Sequence, residues 1–516
     1  MRLYPAVLTV LSALLAGGPA SAEETLADLL SDPAVQLSRP ADRARVVARM
    51  AAIENTRRQN ARARAAAMGL PLRTVLPNGR IQEIADFDGD RPLYHVSHNA
   101  NAAISTGADL LRTSPYSLSG SGVTIGLWDG GAARSTHQEF GGRVTVQDGA
   151  GADNHATHVG GTLIATGVNA SARGMASSAL VDSYDWNSDS SEMTARGAAY
   201  AGEPGAIYLS NHSYSYVVGW NYTGNASRLW EWWGNGTTST AIEQDFGRYN
   251  SYTASQDSLA YNAPYYLIFR SAGNERTDNP SPGDNVGLSS SGGATVSYDP
   301  ATHPAGDGGY RGGYENIGFE ALAKNVITVG STNDAVTGGL RDVSKASISS
   351  FSSWGPTDDG RIKPDIVFPG ASIQSADSDG YIGSNNCGTR GMTGTSMTAP
   401  GVTGMALLTR EYFEEGWYPT GSPVPADGFT PSAALLKAML VNSAVPISWD
   451  AEGRPITIPS DEQGWGRVLL DNALYFAGQS HGLWVDENTG GFTGPGDSPV
   501  TYMLEMEDTG EPLKVT

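Results

Sequence analysis

The sequence predicts an α/β protein whose parallel sheet is flanked by helices. Short apolar runs that end on a small or polar residue alternate with stretches of helical character, the order expected of successive βαβ units. Those runs are apolar throughout rather than at every second residue, which suits strands buried on both faces. Sixty-four glycines in 516 residues supply the many turns such a chain needs.

The chain opens with "MRLYPAVLTVLSALLAGGPASA", which has Arg2, an apolar run and a terminal Ala20-Ser21-Ala22. This reads as a secretory signal peptide, residues 1–22, cleaved after Ala22. The run is too short for a membrane anchor and is broken by Gly17, Gly18 and Pro19, and no later stretch is long and apolar enough to span a bilayer. Residues 23–100 read as a small α+β module. From Arg39 to Arg80 ten arginines face only Asp42 and Glu54, a local net charge of +8 in a chain of −21. Val46, Met50 and Ile53 recur at helical spacing, and Gly69 with Pro71 ends that helix. "LRTVLPNGRIQEI" reads as two strands about Pro77-Asn78-Gly79. "DFDGDRPLYHVSH" repeats the pattern about Asp88-Gly89-Asp90; it lacks the closing glutamate of an EF-hand, so a plain turn is expected there.

Residues 101–478 carry the main α/β pattern. After the linker "SLSGSG", Val123 to Trp128 forms an apolar strand ending at Asp129. "HATHVGGTLIATG" follows as a helix of small residues. "APYYLIFRSAGN" reads as a strand ending at Asn274, "NVITVGS" and "KPDIVFPG" as two more, and helices are expected over Ser396–Phe413 and Pro431–Ala444. Two long insertions interrupt the pattern, between Gly202 and Asn262 and between Asp278 and Asn316. The first holds Trp220, Trp230, Trp232 and Trp233, read as a cover for the sheet. Residues 479–516 change character: turns dominate, and Thr501–Glu507 and Leu513–Thr516 read as strands. They are expected to be the start of a C-terminal β-domain, cut short.

Composition narrows the function. A net charge of −21 argues against nucleic acid as a partner. The single cysteine, Cys387, leaves no internal disulfide and argues against a zinc-thiolate or iron–sulfur site. In open parallel sheets ligands bind at the carboxyl ends of the strands, where Asp129 and Asn274 are expected.

The chemistry centres on "GMTGTSMTAPG", Gly391 to Gly401. Ser396 stands at the start of an apolar helix, among small residues and before Pro400. A helix cap is one reading of it; a nucleophile held at a helix N-terminus is the other. A nucleophilic serine needs a base, an orienting carboxylate and oxyanion donors. Asp129, His155 and Ser396 occur in the order acid, histidine, serine, which is the order of subtilisin among the hydrolases that share this triad.

On "GLWDGG", "HATHVGGT", "SAGN" and "GTSMTAP", the chain resembles the subtilisin-like serine peptidases, the subtilase family. "SSFSSWGP", "KPDIVFPG" and "GWGRVLLDNAL" look like the family's sheet and closing helix, and the likeness runs from about Gly122 to Ala473. The resemblance implies a secreted endopeptidase made as a zymogen, with residues 23–100 as a propeptide cleaved between about Tyr94 and Ala103. It implies Ser396 as nucleophile, His155 as base, Asp129 as orienter and Asn274 as oxyanion donor. "SNHSYSY" looks like the strand that pairs with substrate, so Ser213, Tyr214 and Ser215 are expected to line the substrate site, with Gly273 and Gly394 beside it. Protein or peptide substrates and the chain's own propeptide are the expected partners. No cofactor is required; structural calcium is an expectation of the resemblance with no ligands assigned, and the acidic run "DSYDWNSDSSE" is read either as such a site or as a solvated loop. Ala156 stands where the family usually has glycine, and Trp128 where many relatives carry smaller residues.

Other readings are weaker. An α/β-hydrolase needs G-x-S-x-G and its serine first in order. A zinc hydrolase of the H-E-x-x-H type needs glutamate after the first histidine, and Ala156 stands there. A non-enzymatic or specialised binding relative keeping the fold is the remaining alternative.

Overall fold

The computed structural model describes residues 49, 56, 59–70, 72–75, 81–88, 91–96, 99–288, 294–383, 386–487, 501–503 and 513–516. The expected signal peptide and the expected helical positions 46, 50 and 53 lie outside them. The chain divides into two units, Met1–Val75 with Gln82–Val96, and Leu76–Ile81 with Ser97–Thr516.

In the first unit a helix over 59–67 ends in a turn at Met68 and Gly69, where glycine takes φ +69°. Strands β1 (Arg73–Val75), β2 (Ile81–Asp88) and β3 (Arg91–Val96) follow in one sheet, in that order. β2 and β3 pair antiparallel from Gln82 opposite Val96 to Asp88 opposite Arg91, so the hairpin read from "DFDGD" is formed; Gly89 and Asp90 themselves lie outside the described residues.

The second unit is built on seven parallel strands: β4 (Thr124–Asp129), β5 (Val144–Val146), β6 (Leu180–Asp185), β7 (Leu209–His212), β10 (Leu267–Ser271), β13 (Ile327–Thr332) and β16 (Ile366–Pro369). Their spatial order is β16-β13-β10-β7-β4-β6-β5. Side chains alternate between two cores, as strand geometry requires. Ile125, Leu127, Leu267, Phe269, Ile327 and Val329 enter the larger one, shared with helices Asn154–Ile164 and Thr395–Glu414. Trp128, Tyr184 and Ile268 enter the other with Met193, Tyr266 and Val326. The large residue at 128 is accommodated there by stacking, its ring 4.5 Å from Tyr184 and 5.2 Å from His212. The strand expected to run to Asn274 stops at Ser271, because Gly273 takes φ +107° and turns the chain out of the sheet.

Both insertions belong to one structure. β8 (Trp220–Asn225) and β9 (Arg228–Trp232) of the first join β11 (Asn285–Gly287) and β12 (Thr295–Ser297) of the second in a sheet ordered β12-β11-β9-β8. Trp220, Trp230, Trp232, Val286 and Tyr298 make its core. The first three tryptophans therefore fill a small sheet of their own instead of covering the main one, while Trp233 stays exposed. Two hairpins complete the strands, β14 (Val336–Thr337) with β15 (Leu340–Arg341) and β17 (Ile373–Ala376) with β18 (Thr389–Met392).

The expected strands at the far end are absent where residues are described. Thr501–Met503 and Leu513–Thr516 have no ladder partner, and an unpaired strand gains nothing over solvated chain. The last residues lie instead on the end of helix Ala433–Ser443: Lys514 Nζ donates to the carbonyls of Asn442 at 3.1 Å and Ala444 at 3.3 Å. Among the described residues no helix is long and apolar enough to cross a membrane.

Candidate active site

The parallel register brings the carboxyl ends of β4 and β7 level, Trp128 beside His212, and the candidate residues gather just beyond. Asp129 is the last residue of β4 and is 2 % exposed. One of its oxygens accepts the Gly130 N–H at 2.7 Å, and both face His155 Nδ1, at 2.8 and 2.9 Å. A carboxylate in that place sets the proton on Nδ1 and leaves the Nε2 lone pair free.

His155 lies in the first turn of its helix. Asp153 caps that helix, its side chain accepting the Ala156 N–H at 2.9 Å. Ala156, which stands where the family usually has glycine, is fully buried in the helix packing. Burial disfavours the imidazolium of His155, but the Asp129 charge, its hydrogen bond and the Asp153 charge outweigh it, so the pKa is raised above the ordinary 6.5. His158, three residues on, behaves oppositely. It is fully buried and its Nε2 meets the carbonyls of Ile373 at 2.9 Å and Arg390 at 3.1 Å, with burial lowering its pKa to about 4. It ties the β17–β18 hairpin to the helix and does not share a ligand set with His155.

Ser396 is the second residue of helix Thr395–Glu414, whose cap position is Gly394; it is therefore not the helix cap. Pro400 lies beyond the first turn and has no N–H to give the Ser396 carbonyl. Ser213 Oγ makes good that loss, donating to the Ser396 carbonyl at 2.9 Å. The Ser396 hydroxyl in turn donates to the Ser213 carbonyl at 3.1 Å rather than to His155.

Asn274 lies three residues past β10. Its Oδ1 accepts the Thr395 N–H at 2.9 Å and faces Thr395 Oγ1 at 3.2 Å. A backbone N–H can only donate, so this contact fixes the amide: oxygen toward Thr395, both Nδ2 hydrogens available elsewhere. The Ser396 N–H, in the first turn, has no acceptor within its helix. Gly394 takes φ +155°, and a methyl there would stand 3.6 Å from Asn274 Oδ1, so glycine leaves the space beside that amide open.

The residues expected along the substrate divide. β7 is interior, paired to β10 and β4 as far as His212, so it offers no edge to an added strand; only Ser213–Ser215 run past their neighbours. Ser215 is exposed, whereas Ser213 is 3 % exposed and committed to Ser396. Tyr214, expected to line the site, turns its hydroxyl inward. It donates to Asp189 at 2.8 Å and meets His212 Nδ1 at 3.0 Å, while His212 Nε2 meets Ser210 Oγ at 2.9 Å. The Arg270 guanidinium lies 5.0 Å from the Tyr214 ring centre. Gly273 spends both backbone groups inside, its N–H on Thr395 Oγ1 at 3.1 Å and its carbonyl on the Ser353 N–H at 3.0 Å. Thr395 was missed by sequence reasoning, although its place beside the serine was a signal. The acidic run is spent on protein donors: Asp182 takes Gln147 and Arg196, Asp185 takes Asn187, and Asp189 takes Tyr214 and Tyr252. Among the described residues no three His, Cys, Asp or Glu side chains are placed to hold a metal ion.

The model of the subtilase family matches residues 120–466, the segment holding all four motifs. A Dictyostelium discoideum protein described as a serine protease/ABC transporter B family protein, tagD, is 28% identical over 390 residues, covering 63% of this chain and 20% of its own. A C5a peptidase of Streptococcus pyogenes is 37% identical over 130 residues, 25% of this chain and 10% of that one. The chain thus spans a fifth or less of these curated relatives. Among solved structures, the CspB protease of Clostridium perfringens aligns with TM-score 0.47 at 18% identity, over 73% of this chain and 98% of that one. A cold-adapted subtilisin-like serine proteinase aligns with TM-score 0.37 at 20% identity, over 68% and 89%. With the family model spanning most of the second unit, the chain belongs to the subtilase family.

Proposed function

We propose that the protein is a secreted endopeptidase that cleaves peptide bonds through an acyl-enzyme on Ser396. The observation that carries this reading is the double contact of Asp129 with His155 Nδ1, which leaves Nε2 as a free base. In the reaction Ser396 Oγ leaves the Ser213 carbonyl for His155 Nε2, gives up its proton there and bonds to the scissile carbonyl carbon. The oxyanion takes hydrogen bonds from Asn274 Nδ2 and the Ser396 N–H. Collapse breaks the C–N bond, and the leaving amine carries off the proton from His155. Water, deprotonated by the same nitrogen, then attacks the ester and frees Ser396. Ser213 acts here by holding the backbone of Ser396, Ser215 and the backbone of Tyr214 by lying along the substrate, and Gly394 by letting the carbonyl approach.

Export rests on the N-terminal segment, with its Arg2, apolar run and Ala20-Ser21-Ala22. The propeptide role of residues 23–100 is favoured by the +8 run in an acidic chain and by the division between units at Ser97, inside the expected cleavage window. The test is turnover of a casein-type protein by secreted material, with the mature N-terminus read by mass spectrometry. Proteolysis lost in Ser396→Ala and a start between Tyr94 and Ala103 are expected. Folded protein without proteolysis would favour a binding relative, and an active form starting at Glu23 would remove the propeptide.

A further inference from the structure

Arg270 is fully buried on β10, an interior strand, in register with His212 of β7. A guanidinium is costlier to desolvate than an apolar side chain of its size, so packing alone does not account for it. Its partners lie on two helices. Nη2 donates to the Tyr252 hydroxyl at 2.8 Å and Nε to Gln256 Oε1 at 3.1 Å, both on helix Ser251–Asn262. Nη2 also lies 3.6 Å from the carboxylate of Asp189, the first residue of helix Asp189–Arg196.

The protons of this network have one arrangement. Burial favours the neutral acid of Asp189, but hydrogen bonds from Tyr252 and Tyr214 and the Arg270 charge outweigh it and keep the carboxyl ionised. An ionised carboxylate only accepts, so Tyr252 donates to it at 2.7 Å and Tyr214 at 2.8 Å. Tyr214 has then spent its proton and accepts from His212 Nδ1–H at 3.0 Å. His212 Nε2 in turn accepts the Ser210 hydroxyl at 2.9 Å, and Ser210 accepts the Tyr266 hydroxyl at 2.6 Å.

Tyr214 is where these bonds meet, and its backbone has no others. The ladders of β7 end at His212. Among the described residues no hydrogen bond is made by the backbone N–H or carbonyl of Tyr214 or Ser215. Ser213 before them is tied to Ser396, and the Tyr216 N–H after them to the Glu320 carboxylate. Open backbone groups are what an extended peptide pairs with. Backbone without bonds of its own is also the least stable part of a fold, unless its side chains hold it.

We propose that Arg270 is a positioning residue: through Tyr252 and Asp189 it fixes Tyr214, and so sets the open backbone of Tyr214 and Ser215 where a peptide substrate pairs with it. The inference rests on the peptidase reading above. Its mark is a dependence on substrate length, because Arg270 itself is out of reach of the substrate. A peptide lying along Tyr214 and Ser215 depends on where that segment stands. A small activated ester, p-nitrophenyl acetate, needs only Ser396, His155, Asp129 and the oxyanion donors.

The test compares wild type, Arg270→Met, Tyr252→Phe and the double variant. Each is assayed with p-nitrophenyl acetate and with a quenched fluorescent peptide that extends several residues before the scissile bond. In each single variant kcat/KM for the peptide should fall roughly tenfold or more, with ester hydrolysis within about twofold of wild type. The double variant should lose no more than Arg270→Met, since both changes act through one carboxylate. The peptide-to-ester ratio is taken within one preparation, so partial unfolding, which lowers both rates, does not imitate the effect. An unchanged ratio in Arg270→Met and Tyr252→Phe, whether both rates fall together or neither falls, would overturn the positioning role and leave the peptidase reading standing. Losses that multiply in the double variant would overturn the route through Tyr252. No turnover of peptide or ester by folded wild type would overturn the peptidase reading and this inference with it.

Discussion

The crevice around Ser396 and the inserted sheet β8–β9–β11–β12 are held together by different physics. In the crevice, separate segments are joined by directional hydrogen bonds between pairs of residues: Asp129 to His155, Asn274 to Thr395, Ser213 to Ser396. In the inserted sheet, Trp220, Trp230 and Trp232 bury apolar area against Val286 and Tyr298, and many side chains of like volume would serve. The difference separates two kinds of sensitivity. Changes in the crevice should cost rate with little stability, and changes in the sheet should cost stability with little rate.

The largest expected effect is in the crevice. Ser396→Ala should lower kcat by about 10⁶-fold, the scale seen when the nucleophile of a subtilisin is removed, with a melting temperature close to wild type. Asn274→Ala should cost about 10²–10³-fold in kcat, again the scale known from a subtilisin. In the inserted sheet, Trp232→Ala removes a side chain that is 1% exposed and should cost about 3–5 kcal/mol of local stability. Its checks are denaturant unfolding followed by tryptophan fluorescence, and kcat measured below the transition, which should stay near wild type. A tenfold loss of kcat there would break the separation between the two regions.

Ser213→Ala sharpens the comparison, because it touches both terms. It leaves the Ser396 carbonyl without Ser213 or a helical partner, so about 1–3 kcal/mol of stability should go. Restoration by Ser213→Thr would assign the effect to the hydroxyl. The smallest effect concerns pH. Neutral His155 is the base, and its pKa is raised, so the acid limb of kcat/KM should lie above the ordinary 6.5 of histidine. Asp153→Asn keeps a competent helix cap and removes one of the charges that hold the imidazolium, so the limb should move to lower pH.

The same contrast explains what the sequence makes legible. Proton transfer from a serine needs one acid, one histidine and one donor, so Asp129, His155, Asn274 and Ser396 stand out by type and order. The main strands stand out because burial on both faces demands unbroken apolar runs. Tyr214 is legible by its position along the chain, yet its direction is decided by Asp189 and Arg270, which are remote in sequence, together with neighbouring His212. The three buried tryptophans signalled packing, but their partners Val286 and Tyr298 come from the other insertion, and no local pattern links the two. Pro400 did carry a signal: a proline four residues after Ser396 leaves a carbonyl without its helical donor, and Ser213 supplies it. At residues 501–503 and 513–516 alternation alone suggested strands, and alternation does not provide a partner.

The central claim is that Ser396 is made nucleophilic by His155 and Asp129, and a fluorophosphonate that reacts only with an activated serine tests it directly. Mass spectrometry of the labelled, folded protein should find one adduct per chain, on Ser396, lost in His155→Ala and slowed as His155 is protonated. No adduct on Ser396, or equal labelling in His155→Ala, would contradict the account.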